Sequence, residues 1–404
     1  MIVTIDRLGH HGDGIAEGPV FAARTLPGER VEGAITDGRM AAPAILTPSP
    51  DRRRAPCPHY SACGGCALQH ATDGFVAGWK EGVVAQALAG QGLTAPFRPI
   101  LTSPERSRRR AVLAGKRTKS GAMVGFHGRA SDVVVEVPGC LLLTPALMVS
   151  LPILRRVTVA GASRKAPLAL TVTETDGGVD LAVTGGKPLE QGLFSALAAL
   201  AEEGDLARLT WDGEVVSARR PAVQTFGRVR VAVPPGGFLQ ATAEGQTALV
   251  RAVSEAVGPA RRVADLFAGS GTFTLPLAER AEVHAAEAAS DMVAALLAAA
   301  RAAPGLRPVT AEARDLFRRP LLPDELTRFD ALVLDPPRAG AEAQVREIAA
   351  ARVPVLAYVS CNPVTFARDA RILADAGYAI DWVLPVDQFR WSPHVELAAR
   401  LTLG

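Results

Sequence analysis

The chain has 404 residues, of which 48% are hydrophobic and 21% charged, with a formal net charge of +3. That length exceeds one ordinary hydrophobic core and predicts two or three domains of a folded, soluble protein. The most apolar stretch, residues 141–154, contains Pro145 and Pro152, so it is too short and too interrupted to span a bilayer. The N-terminus has no basic segment followed by a long apolar run, and we therefore predict a cytoplasmic protein with reduced thiols.

Residues 1–47 predict a small β-barrel. Short β-rich runs alternate with glycine-rich turns, such as GHHGDG at residues 9–14 and LPGE at residues 26–29. We expect five short strands, and barrels of this size often bind RNA, whereas others bind protein or nothing.

Residues 48–235 predict a central α+β domain with antiparallel strands and a helix from Asp73 to Gly90. A segment of this domain is strongly basic and contains one acid, Glu105. Such a charge excess suits a phosphate backbone and predicts a surface that faces RNA, the alternative being a solvated face without a partner. The eight basic residues are Arg106, Arg108, Arg109, Arg110, Lys116, Arg117, Lys119 and Arg129.

Three of the five cysteines, Cys57, Cys63 and Cys66, lie within ten positions. In a long chain that stays reduced, clustered cysteines indicate metal ligands more often than disulfides. Thiolates suit zinc and iron–sulfur clusters about equally, so the ligand type alone leaves the metal open.

From residue 236 to residue 404 strands and helices alternate, which predicts an α/β, doubly wound, Rossmann-like domain. The segment DLFAGSGTFT follows a predicted strand and opens a helix, and Gly269 and Gly271 allow a tight turn close to a ligand. Glu287 ends the next predicted strand, where a carboxylate accepts hydrogen bonds from ribose hydroxyls. Asp315 follows the third strand and is placed to read an adenine amino group. Because Thr274 replaces the third glycine of a dinucleotide-binding loop, S-adenosylmethionine is favoured over a dinucleotide.

Two later predicted strands end in reactive residues, Asp335 in LVLDPPRAG and Cys361 in AYVSCNP, and the last predicted strand begins with PHVEL, which brings in Glu396. An inert core cysteine and a solvated glutamate are the commoner alternatives, but Asn-Pro after Cys361 predicts a helix N-terminus that lowers the thiol pKa. A thiolate that adds to C6 of uracil makes C5 nucleophilic toward a methyl sulfonium, and a carboxylate can then remove the C5 proton.

These motifs resemble the bacterial RNA uracil-C5 methyltransferases, which make 5-methyluridine. The resemblance extends over essentially the whole chain and is greatest to the 23S ribosomal RNA branch, which has an N-terminal TRAM barrel and an iron–sulfur cluster. The segments that carry it are IDRLGHHGDGIAEG, LPGERV, CPHYSACGGCALQH, VPGC, SRRRA, GGFLQ, DLFAGSGTFTLPLA, LDPPRAG, VSCNP and HVEL.

The resemblance implies that Cys361 is the nucleophile and Glu396 the base. It implies a [4Fe–4S] cluster, which we expect to be structural, with the ligands Cys57, Cys63, Cys66 and Cys140. It also implies contacts with S-adenosylmethionine from Gln240, Phe267, Gly269, Gly271, Thr272, Glu287, Asp315 and Asp335.

Three positions, Thr242, Thr272 and Ala300, depart from the family pattern, which often has Asn there, but none removes a catalytic group. We expect a monomer that acts on 23S ribosomal RNA, with the T-loop uridine of transfer RNA as an alternative substrate. An RNA amino-methyltransferase, suggested by LDPPR, and a non-catalytic RNA-binding protein are further alternatives.

Overall fold

The structure, a computed structural model, describes residues 1–404. Its N-terminal region has seven short strands in two small sheets, of order β1-β5-β7 and β2-β3-β4-β6, around a core that includes Ile5, Val31 and Met40. We expected five strands. The run at residues 39–47 is divided at Pro43, which has no N–H to donate to a sheet, and its two halves join different sheets. The strands are β1 (Ile2–Thr4), β2 (Arg7–Leu8), β3 (Gly14–Ala16), β4 (Val20–Ala22), β5 (Arg30–Glu32), β6 (Arg39–Met40) and β7 (Ala44–Thr47).

The central region is built on a mostly antiparallel, seven-stranded sheet of order β11-β10-β9-β12-β13-β14-β15, against which two helices pack. In β12 the alternate residues Leu168, Leu170 and Val172 are buried, as expected for a strand with one face on a core. The elements are α1 (Asp73–Ala89), β8 (Leu101–Thr102), β9 (Arg110–Arg117), β10 (Ala122–His127), β11 (Val134–Glu136), α2 (Pro145–Gly161), β12 (Leu168–Thr175), β13 (Gly178–Thr184), α3 (Gln191–Glu203), β14 (Arg208–Trp211), β15 (Glu214–Ala218), β16 (Val223–Phe226) and β17 (Val229–Ala232).

The C-terminal region has an eight-stranded sheet of order β20-β19-β18-β21-β22-β24-β23-β8. Strands β18 to β22 run parallel, and β24 is antiparallel to both neighbours, so the predicted parallel sheet is confirmed except at its last hairpin. The elements are α4 (Ala243–Val257), β18 (Arg262–Leu266), α5 (Thr274–Leu277), β19 (Glu282–Glu287), α6 (Ser290–Ala302), β20 (Val309–Ala313), α7 (Pro323–Leu326), β21 (Ala331–Leu334), α8 (Glu342–Ala351), β22 (Val355–Ser360), α9 (Pro363–Asp375), β23 (Tyr378–Asp387) and β24 (Glu396–Leu403).

Parts of the predicted central domain pair with or pack on the C-terminal region. Strand β8 adds to its edge beside β23, helix α1 packs on α9, and the β16–β17 hairpin packs on α6. Helix α1 begins at Thr72, whose hydroxyl accepts the Phe75 N–H at 3.3 Å, and it buries Val76, Val84 and Leu88 on one face. None of the helices has the length and apolar character that crossing a bilayer requires.

A buried ion pair joins α1 to the end of β23. Lys80 Nζ donates to Asp387 Oδ1 at 2.5 Å and to the Phe389 carbonyl at 3.2 Å, and neither charged side chain is more than 2% exposed. The pair holds the chain in place just before Gln388, a residue of the candidate active site.

We expect Lys80→Met to lower the free energy of unfolding by about 3–5 kcal/mol, because it leaves the Asp387 carboxylate buried without its cation. The double variant Lys80→Met/Asp387→Leu should recover most of this loss. Denaturant titration measures both, and a Lys80→Met protein as stable as the wild type would show that the pair contributes nothing.

Candidate active site

The loop between β18 and α5 forms one wall of the candidate site. Three of its residues have positive φ angles: Phe267 (64°), Gly269 (56°) and Gly271 (98°). A Cβ atom at Gly271 would lie 3.1 Å from the Leu296 side chain, whereas a Cβ at Gly269 would meet no atom within 4 Å. The loop therefore needs glycine at 271 for packing, and at Gly269 it exposes its backbone to open space, where a ligand can approach closely.

Glu287 at the end of β19 holds this loop in place. Its Oε2 accepts the Gly269 N–H at 3.0 Å and its Oε1 accepts the Ala289 N–H at 2.9 Å. The side chain is only half-buried, so both oxygens retain lone pairs for the hydroxyls of a ribose.

An aromatic pair lies beside the loop. The rings of Phe267 and Phe317 are 5.5 Å apart, and the Phe317 N–H donates to Asp315 Oδ1 at 3.0 Å. Phe317 belongs to no sequence motif, although it lies two residues after Asp315, and 47% of its surface is exposed. The pair offers a flat apolar surface next to a carboxylate, which suits an adenine ring and its amino group.

Asp265 and Thr272 complete the loop. The Thr274 hydroxyl donates to Asp265 Oδ2 at 2.6 Å, while Asp265 Oδ1 is buried without a hydrogen-bond partner. Burial raises the pKa of Asp265 to about 7. Thr272 is half-buried in the same turn.

Three acidic or nucleophilic groups converge at the ends of β21, β22 and β24. Cys361, half-buried, directly follows β22, and its thiol interacts electrostatically with Glu396 and Asp335. Burial first, and then these two carboxylates, raise the thiol pKa to about 11, and Arg338 opposes them. The expected lowering of the thiol pKa is therefore wrong for this arrangement, because burial and two acids outweigh the N-terminus of α9.

The two carboxylates also have raised pKa values. Glu396 is 3% exposed, and burial raises its pKa to about 7, while a hydrogen bond from Gln388 acts in the opposite direction. Burial and the neighbouring charge of Glu396 raise the pKa of Asp335 well above the ordinary range. A carboxylate with a pKa near neutrality is suited to accept a proton.

Two glutamines connect these carboxylates. Gln240 Nε2 is 3.4 Å from Asp335 Oδ2, and Gln388 Nε2 donates to Gln240 Oε1 at 2.6 Å and to Glu396 Oε2. The structure thus brings Gln240, Asp335, Cys361 and Glu396 together. Gln388 joins them, although no sequence motif marks this residue.

The other four cysteines line one small cavity in the central region. Cys57, Cys63, Cys66 and Cys140 surround a cavity of about 10 Å³, together with Tyr60 and apolar side chains. Cys63 Sγ accepts the Gly65 N–H at 3.3 Å, and Cys140 Sγ accepts the Leu142 N–H at 3.4 Å. As the side chains are arranged, no group of three or more His, Cys, Asp or Glu residues is placed to hold a single metal ion. The donor set itself, four thiols with backbone N–H groups directed at two sulfurs, is one that zinc sites and iron–sulfur clusters share.

The basic segment is divided between interior and surface. Arg109 donates to the Gln240 carbonyl and to the side chains of Gln224 and Gln246, and Arg110 donates to the Gly236 carbonyl. Burial lowers the pKa values of Arg108, Arg109 and Arg110. These three therefore join the central and C-terminal regions, and the exposed members are Arg106, Lys116 and Lys119.

The strand order and the glycine-rich loop define the class I fold of S-adenosylmethionine-dependent methyltransferases. A tRNA (uracil-54, C5)-methyltransferase of Pyrococcus abyssi, solved with S-adenosyl-L-homocysteine, has the same fold with a TM-score of 0.78 and 22% identity. That comparison covers 100% of this chain and 99% of the other.

The family model described as tRNA (Uracil-5-)-methyltransferase matches residues 233–402. An RNA methyltransferase of Brucella suis, itself uncharacterised, is 44% identical over 405 residues, 100% of this chain and 98% of that protein. The 23S rRNA (uracil(1939)-C(5))-methyltransferase RlmD of Chromohalobacter salexigens is 33% identical, over 99% of this chain and 89% of its own length. The chain therefore belongs to the RNA (uracil-C5)-methyltransferase family, and the protein is an S-adenosylmethionine-dependent RNA methyltransferase.

Proposed function

We propose that the protein converts one uridine of 23S ribosomal RNA to 5-methyluridine. The observation that supports this most directly is the convergence of Asp335, Cys361 and Glu396, at the carboxyl ends of β21 and β22 and the amino end of the antiparallel β24. A nucleophile, a proton acceptor and the cofactor loop then lie on one edge of the sheet. An amino-methyltransferase has no use for the thiol.

In the proposed mechanism, the loop at residues 267–272 would hold S-adenosylmethionine, Glu287 would bind its ribose and Asp315 its adenine, and the bound cofactor would supply the methyl group. Cys361 Sγ, as the thiolate, adds to C6 of the uracil, and C5 then takes the methyl group and releases S-adenosylhomocysteine. Glu396 removes the C5 proton, the C5–H electron pair forms the C5=C6 bond, and the C6–S bond breaks to restore the thiolate. Gln240 and Asp335 lie where the uracil should bind.

The raised thiol pKa has a consequence for this mechanism. With a pKa of about 11, Cys361 is mostly protonated at neutral pH. The bound sulfonium would oppose the two carboxylates, because a nearby positive charge favours the thiolate. Arg338, which already lowers the thiol pKa, acts in the same direction.

The relative from Chromohalobacter salexigens supports 23S rRNA as the substrate, because it is named a 23S rRNA methyltransferase and is 33% identical over nearly the whole chain. The transfer RNA enzyme, at 22% identity, shares the fold. To test the substrate, we would incubate the protein and labelled S-adenosylmethionine with 23S rRNA and with transfer RNA transcripts and map 5-methyluridine in each. Methylation of a single 23S uridine is expected, and methylation of the T-loop alone would favour the transfer RNA alternative.

We further propose that Cys57, Cys63, Cys66 and Cys140 hold a [4Fe–4S] cluster. Such a cluster would supply structural cross-linking of two chain segments, and methyl transfer needs no electron from it. We also propose a TRAM-like RNA-binding role for residues 1–47, and a cytoplasmic monomer.

Anaerobically purified protein should contain about four irons per chain and absorb visible light, as expected for a cluster with four thiolate ligands. Cys140→Ser should lose the iron and the absorbance and unfold at a lower temperature, whereas Cys361→Ser should keep both. Metal analysis and thermal unfolding measure these effects, and one zinc per chain would identify a zinc site instead.

A further inference from the structure

Gln388 occupies a buried position between the two halves of the active site. It follows β23 and is 2% exposed. Its Oε1 accepts the N–H of Ala241 at 2.9 Å, a contact that only an oxygen can make. The orientation of the amide is therefore fixed, and its NH2 group points to Gln240 and Glu396.

The orientation of the Gln388 amide determines the orientation of the Gln240 amide. Because Gln388 Nε2 donates to Gln240 Oε1 at 2.6 Å, Gln240 must direct its own NH2 group toward Asp335. Hydrogen bonds thus run from the Ala241 N–H through Gln388 to Gln240 and on to Asp335, with a branch to Glu396. Every side chain in the series has one defined direction.

The backbone around Gln388 is held on both sides. Asp387 is paired with the buried Lys80, and its Oδ1 also accepts the Phe389 N–H at 3.1 Å. Three residues later, the Trp391 carbonyl accepts the N–H groups of Ala67 and Leu68 at 2.8 and 3.0 Å. Gln388 is therefore presented by a rigid turn, which is what a positioning group requires.

Glu396 has acidic neighbours and one donor. Asp335 from the end of β21 and Cys361 from the end of β22 both interact with its charge, and the positive charge of Arg338 also acts on Cys361. The hydrogen bond to its carboxylate comes from Gln388, on Oε2. The other oxygen, Oε1, is left to accept a proton.

We propose that Gln388 is a positioning residue for the proton-abstraction step, which keeps Glu396 ionised and directs its free oxygen toward uracil C5. The same amide sets Gln240 so that its NH2 group faces Asp335. This inference rests on the proposed function, in which Glu396 takes the C5 proton and the Cys361 thiolate departs from C6.

The ionisation of the Glu396 carboxylate determines the direction of the pH effect. Burial raises the pKa of Glu396 to about 7, and the bond from Gln388 opposes this rise. Removing the donor raises the pKa further, so less of the base is ionised at neutral pH. Elimination then slows at pH 7 and recovers at higher pH.

The test uses full-length Gln388→Met, which keeps the side-chain volume and removes the donor. With 23S rRNA and S-adenosylmethionine, we expect the protein–RNA adduct to accumulate at pH 7 and to resolve about tenfold more slowly than in the wild type. The pH dependence of resolution should move up by about one unit, since a hydrogen bond to a charged group is worth roughly that much. Rapid quench on denaturing gels measures both.

Gln344→Met is the matched control. Gln344 is also a fully buried glutamine of the C-terminal region, but it bonds to the backbone of Leu321, away from the site. It should change stability without moving the pH profile. If Gln388→Met does not bind S-adenosylhomocysteine, Gln388→Glu replaces it, because a second carboxyl group beside Glu396 should move the profile in the same direction.

The outcomes separate the two claims. An unchanged pH profile in a Gln388 variant that binds S-adenosylhomocysteine overturns the role of Gln388 and leaves the mechanism intact. If the wild type forms no adduct at any pH while methylating the RNA, the proposed mechanism itself fails. A shifted profile with adduct accumulation supports both.

Discussion

Replacing Cys361 by alanine should abolish methyl transfer, with a loss of at least about 10⁴-fold in turnover, because C5 of uracil cannot attack the sulfonium without covalent activation. The thiol lies directly after β22 beside Asp335 and Glu396, but it makes no contact that holds the cofactor loop. Binding of S-adenosylhomocysteine should therefore remain close to that of the wild type. Calorimetry and transfer of labelled methyl groups measure the two effects.

Turnover that survives in Cys361→Ala would remove the covalent mechanism. It would favour the amino-methyltransferase alternative, whose Asp-Pro-Pro motif is also present at residues 335–337. A loss of cofactor binding in the same variant would instead mean that the substitution disturbs the site as a whole.

Glu396→Gln should separate methyl transfer from product release. The amide cannot accept the C5 proton, so methylated RNA should stay attached to Cys361, and release should fall by about 10²–10⁴-fold. Labelled methyl groups should then appear in a denaturation-resistant protein–RNA complex with ordinary RNA. In the wild type, release should increase with pH through about 7, since the carboxylate must be ionised to act.

Glu255→Gln is the matched control for this substitution. Glu255 lies on the exposed face of α4 and is paired with Arg98, whose NH2 group is 2.5 Å away. It should release product at the wild-type rate. Equal release by Glu396→Gln and Glu255→Gln would assign the proton abstraction to another group.

The cofactor loop and the reactive residues could be predicted because local pattern determines their position. A parallel strand followed by a turn and a helix places its last residue at one edge of the sheet, wherever the rest of the chain lies. The positions of Glu287 and Cys361 could therefore be predicted from the strand pattern alone. The four cysteines line one cavity, although Cys140 is far from the other three in the sequence.

Features that depend on distant pairing could not be predicted. Arg109 belongs to a basic run, yet its side chain bonds to Gln224 and Gln246, more than 100 positions away, and charge count cannot distinguish that from a surface residue. Gln388 lies in a loop, and its place in the site depends on a hydrogen bond to Gln240, which lies 148 positions earlier in the chain. Strand β8 is two residues long, and its place beside β23 leaves no periodic signal.

Trp391 packs in the core of the central region but lies in the chain segment that leads to Glu396 of the candidate active site. It is 1% exposed, has a φ of 58°, and packs in the core of the central region with Cys63 and Cys140. Its chain segment leads from Gln388 to Glu396. The cysteine loop and the catalytic loop are therefore packed against the same core.

The attack of Cys361 on the uracil can be trapped with RNA that contains 5-fluorouracil. Fluorine at C5 cannot leave as a cation, so methyl transfer should stop at a covalent protein–RNA complex that survives denaturation. We predict this complex in the wild type with S-adenosylmethionine, its absence in Cys361→Ala, and a single 23S rRNA site in the trapped RNA. Methyl transfer to this RNA without any such complex would show that Cys361 does not attack the uracil.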